Sequence, residues 1–198
     1  MQVNRRRMPG MIYIIVSFTP WIVYWILCSI ENTLGIVIPF IIALLLTISQ
    51  IWKRDFNLMD FVSTIYFSIA VVGTFIFSSN IFIQSSGFLG YLVLFFMALS
   101  SLIIKRPYTL QVSKRDYPEV YWKDRTFLLT NNMITAVWAA IFLANAIIFL
   151  LLHAPLTIIL SNLLIGLGIF FSIFFPLKAP AYFASREFKK FDWKVKVD

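Results

Sequence analysis

Six apolar runs, at 11–30, 34–51, 61–77, 87–104, 127–152 and 156–175, dominate this sequence, and none holds Asp, Glu, Lys or Arg in its interior. A helix rising ~1.5 Å per residue needs about 20 apolar residues to cross the ~30 Å hydrocarbon core of a bilayer. The runs meet that requirement, the third and fourth near its lower edge. Lipid offers peptide groups no hydrogen bonds, so a spanning segment must be a helix or part of a closed barrel. Continuous apolar runs, without the two-residue alternation of barrel strands, select helices. The predicted fold is an all-α bundle of six transmembrane helices, one membrane domain over residues 1–198, with both termini cytoplasmic.

Charge sets the orientation. With the N-terminus inside and the spans alternating, all 17 Lys and Arg residues fall on the cytoplasmic side. Of the acids, only Glu31 falls outside. This is the positive-inside bias, and a different number of spans would scatter it. The first run follows Arg5, Arg6 and Arg7 but exceeds the roughly 7–15 apolar residues of a signal-peptide core. With no small-x-small cleavage site after it, it reads as a retained signal anchor. The charged fraction is 13%, about half that of soluble domains. The formal net charge of +8 is accordingly assigned to anionic headgroups of the inner leaflet, and no nucleic-acid partner is expected. Cys28 is the only cysteine, which excludes an intramolecular disulfide.

The outer connections, 31–33, 78–86 and 153–155, leave no room for an external domain. The inner side carries a polar loop at 105–126 and a basic, aromatic tail at 176–198, which is expected to lie along the leaflet as an interfacial helix.

Pumps and voltage sensors keep ionisable groups at membrane depth, and the six runs contain none. The single histidine, His153, sits in a short outer loop. Asp55 and Asp60 in one inner loop, and Asp116, Glu119 and Asp124 in the other, are interleaved with Lys and Arg and read as solvated ion pairs. No metal cluster, nucleophile elbow or phosphate-binding glycine loop is present. The expectation is a non-catalytic protein with no catalytic residues, metal or cofactor.

The fifth run is the most informative. Asn131, Thr135, Trp138, Phe142 and Asn145 follow at spacings of 4, 3, 4 and 3, which places them on one helix face. Polar groups unpaired in hydrocarbon are costly, so this stripe is expected to face other helices. It suits a packing seam, and equally a polar site for a ligand or partner helix. Ser161, Asn162, Gly168 and Ser172 of the sixth run are candidates for the opposite wall. Pro20 and Pro39 stand inside the first two runs and are expected to kink them. Trp52-Lys53-Arg54-Asp55 echoes Trp122-Lys123-Asp124-Arg125, as a duplication or a repeated interfacial Trp anchor would.

Residues 105–145 resemble the intracellular septation protein A family of bacterial inner-membrane proteins, or a sister group. The matching elements are Lys105-Arg106-Pro107, Pro118, Trp122, Asn131 or Asn132, Ala136-Val137-Trp138-Ala139, Phe142 and Asn145. Trp52-Lys53-Arg54 with Met59 extends the likeness. Tyr108-Thr109-Leu110-Gln111 and the long tail depart from it. The resemblance implies a multi-pass protein of the bacterial inner membrane, serving cell-envelope maintenance or division as a scaffold or accessory subunit. It implies protein partners or self-association. Lys105, Arg106 and Trp122 would form the inner docking surface, with Asn131, Trp138 and Asn145 holding the bundle or a partner helix. The alternative is a small channel or facilitator, its polar pathway running between the fifth and sixth helices.

Overall fold

The computed structural model describes residues 9–30, 32–152 and 155–195, without the side chains of 184–195. Arg5, Arg6, Arg7, Glu31, His153 and the tail's basic and aromatic side chains beyond Phe183 lie outside the described residues. Among the described residues there is no strand. Six helices are long and apolar enough to span a membrane: α1 (Gly10–Cys28), α2 (Leu34–Lys53), α3 (Leu58–Phe75), α5 (Ser86–Ile103), α7 (Arg125–Leu151) and α8 (Leu156–Val195). Between them lie two short helices, α4 (Ile81–Gln84) and α6 (Tyr108–Asp116), and a 3-10 turn at Glu119–Tyr121.

Local chemistry sets the ends. Asn57 caps α3, its Oδ1 accepting the Met59 N–H at 3.1 Å. The third span thus begins at Leu58, three residues before the predicted start, and takes in Asp60. Asp124 caps α7 in the same way, accepting the Phe127 N–H at 2.9 Å. At the α1–α2 turn a Cβ on Gly35 would come within 2.8 Å of the Cys28 sulfur and 2.9 Å of its backbone N, so only glycine lets the two helices approach. Pro20 and Pro39 are buried inside α1 and α2, neither of which is interrupted.

The neighbours along the chain pack antiparallel: α1 with α2, α2 with α3, α7 with α8, and, most extensively, α5 with α7. The core is aromatic. Trp21 stacks on Tyr66 at 5.1 Å between centroids, and Trp25 stacks on Tyr91 at 4.5 Å. Their polar tips find partners inside the bundle, as burial demands: Trp21 Nε1–H donates to Ser63 Oγ at 2.7 Å, and the Tyr24 and Tyr66 hydroxyls meet at 2.7 Å. Tyr91 meets Ser161 of α8 at 3.0 Å.

The 105–126 segment carries α6 and the 3-10 turn. At the tail, α8 continues through Pro176 and Pro180 to Val195. Forty residues of helix measure about 60 Å, twice the hydrocarbon thickness. Within the bundle α8 is peripheral: 11% of its apolar window is buried, against 28–39% in the other five spans.

Candidate functional site

The alternating helices bring one set of ends together, and these carry Arg54, Lys105, Arg106, Lys114, Arg115 and Lys123. At this basic end α6 acts as a clasp across three other parts of the fold. Asp116 accepts the Gly10 N–H of α1 at 2.8 Å. Arg115 pairs with Asp55, in the α2–α3 turn, at 2.5 Å, and its guanidinium lies 3.4 Å above the ring of Tyr13 on α1. Gln111 accepts the Leu58 N–H at 3.0 Å, which ties α6 to the start of α3.

The other side of α6 meets α7. Thr109 Oγ1 donates to the Asn131 carbonyl at 3.0 Å and lies 2.7 Å from Thr135 Oγ1. Ser113 donates to Asn131 Oδ1 at 2.7 Å, and Asn131 Nδ2–H returns to its own helix at Phe127 O. The upper part of the polar stripe is thus taken up by a helix of the inner segment, whereas α8 was the expected wall. Trp138, one turn further on, does reach α8: its Nε1–H donates to Ser172 Oγ at 2.9 Å. Asn145 is fully buried, yet neither atom of its amide has a hydrogen-bond partner.

Asn162 does not belong to this seam. It is exposed and donates to Ile158 O on its own helix, because the face of α8 turned inward is the one carrying Thr157, Ser161 and Gly168. Lys105 and Arg106 are exposed at the end of α5, with Lys105 in the left-handed region at φ 58°. Trp122 is half-buried, donates to Tyr117 O at 2.9 Å and lies under Lys114 Nζ at 5.0 Å. Val120 beside it is 78% exposed. The two Trp-Lys segments are not equivalent here: Trp52 is in the last turn of α2, whereas Trp122 follows the 3-10 turn.

Asp60 is the residue that the sequence pattern misplaced. It was expected among solvated loop charges. The capped start of α3 instead carries it into a spanning helix at 1% exposure, where Oδ2 accepts from Ser17 Oγ–H at 3.2 Å and from Asn57 Nδ2–H at 3.1 Å. An Asn four residues before an apolar run is a capping signal, and it was the one clue available. Around these sites, the outward surfaces of the spans are Ile, Leu and Phe while the polar side chains gather inside.

The chain is a multi-pass membrane protein. Compared with known proteins, it matches no family model, no curated protein and no solved structure. Among the described residues no three His, Cys, Asp or Glu side chains gather where they could hold a metal ion.

Proposed function

We propose that the protein is a non-catalytic scaffold or accessory subunit in the bacterial inner membrane, of the septation protein A type, that docks a protein partner on its basic, cytoplasmic end. One observation carries the reading: exposed apolar side chains stand outside the spans. Val120 is 78% exposed and Tyr121 52%, on a short turn with Lys114 before it, held over Trp122, and Lys123 after it. Lipid covers exposed apolar groups within the hydrocarbon, but beyond it they serve as docking surface. The clasp of α6 supports the same reading, because a surface held on several helices loses little freedom on binding. The basic flanks suit an acidic partner.

The channel alternative has less behind it. Trp138–Ser172 and the close approach of Gly168 fill the α7–α8 interface where its pathway would run.

A photo-reactive side chain placed at Val120 tests the proposal in native membranes. Adducts with an acidic division or envelope-synthesis protein are the expected outcome. Adducts with lipid alone, together with a clean oligomer on gentle purification, would overturn it.

A further inference from the structure

Asp60 is an ionisable group inside a spanning helix, and half of its carboxylate is unbonded. Oδ2 holds both of its hydrogen bonds, while Oδ1 is buried without a partner. An ionised carboxylate has about four acceptor sites, and leaving one oxygen bare in a dry interior is costly. Complementing the positive N-terminus of α3 does not explain the arrangement. The capping bond comes from Asn57, and none of the bonds to Asp60 comes from a backbone amide.

Two more buried polar atoms without partners belong to the same cluster: the hydroxyl of Tyr13, one turn before Ser17, and Nε of Arg115 stacked on the Tyr13 ring. The charged side chains of the elements around this cluster are Arg54 and Asp55 in the α2–α3 turn and Arg115 and Asp116 on α6, within a basic end that also holds Lys105, Arg106, Lys114 and Lys123. Arg115 is engaged by Asp55, and Asp116 by the Gly10 N–H. Asp60 has no ion-pair partner among the described residues. A cavity of about 380 Å³ opens between the end of α2 and the start of α3, lined on its polar side by Gln50, Arg54, Asp55 and Asn57. Asn57 is the shared wall: it lines the cavity and holds Asp60 Oδ2 at 3.1 Å.

From the cavity, the orphaned oxygen and the missing ion-pair partner we infer that Asp60 is a reversible binding site for a small monovalent cation, the proton foremost, loaded through this cavity from the basic end. Loading by a proton turns the carboxylate into the acid: a hydronium ion at the cavity mouth gives up one O–H bond and leaves as water while the carboxyl O–H forms. A sodium ion would answer the same charge. The site stands independently of the scaffold reading.

Infrared difference spectra of the full chain in liposomes, taken against pH, read the site directly. The expected result is a carboxylic-acid carbonyl band that grows on acidification and is missing from Asp60→Asn. Sodium added at constant pH that erodes the band would identify sodium as a competing ligand and support the site. A band unchanged in Asp60→Asn, or no titrating band with sodium without effect, would overturn it. Asp55→Asn keeps the inference testable if Asp60→Asn does not fold. It frees Arg115 to turn to Asp60, which should move the titration midpoint down by about 1–3 pH units. An unmoved midpoint would count against the assignment.

Discussion

Arg115 reaches Asp55 at 2.5 Å from a nearly buried position, its side chain 7% exposed against 43% for Asp55. The same guanidinium covers Tyr13, so one side chain joins α6 to α1 and to the α2–α3 turn. Lysine keeps the charge but lacks the planar group that stacks and bonds at once. Arg115→Lys should therefore lower stability by about 1 kcal/mol, most of it from the stack because the ion pair is half-exposed. Faster hydrogen exchange confined to α6 would accompany the loss. Exchange unchanged in α6 would mean that the clasp rests on its other contacts.

The two asparagines of the α7 stripe should behave oppositely. Asn131→Leu removes the acceptor of Ser113 and leaves that hydroxyl unpaired, at about 0.6–2 kcal/mol. Asn145→Leu removes an amide with no partner, and a buried unsatisfied group is better replaced by an apolar one of similar shape. Thermal unfolding in detergent should fall for the first and hold or rise for the second. Equal losses would show that Asn145 has a bonding partner.

Gly168 and Gly166 give a paired test of the α7–α8 contact. A Cβ at Gly168 would lie 2.7 Å from Ile141 Cδ1 and 3.2 Å from the Trp138 ring, whereas at Gly166 nothing stands within 4 Å. Gly168→Ala should weaken the attachment of α8, raising disulfide-trapping distances between the helices and lowering stability by about 1–3 kcal/mol. Gly166→Ala should be neutral or gain about 0.5–1 kcal/mol from helix propensity.

Tyr108, on α6 outside the spans, is buried with its hydroxyl unpartnered. Burial raises its phenol above the ordinary value of 10.0. The folded state holds the proton more tightly than the unfolded chain, so this group's contribution is fully present below pH 10.0 and declines as pH rises beyond it. Tyr108→Phe should raise stability at neutral pH by about 1 kcal/mol and flatten the alkaline decline. A variant with the same alkaline slope as the parent would assign that slope to other groups.

The candidate site was legible only where one residue's own surroundings decide its fate. Asn131 and Thr135 were recognisable as inward-facing, because a polar group on an apolar helix must find a partner. Their partners, Ser113 and Thr109, were not, because α6 is a short polar segment with the composition of a loop. Asn162 and Ser161 are adjacent and of similar polarity, and only the rotation of α8 about its axis separates the exposed one from the buried one.

The sequence by itself determined the helix class, the six spans and the gathering of basic residues at one end. These follow from the solvent: hydrocarbon imposes length and internal hydrogen bonding on every segment that crosses it, one segment at a time. Tertiary structure alone decided that α6 closes the basic end, that Arg115 chooses Asp55, and that Asp60 is buried with a bare oxygen. Those outcomes depend on which distant helices share a face, and a period along one helix carries no record of its neighbours.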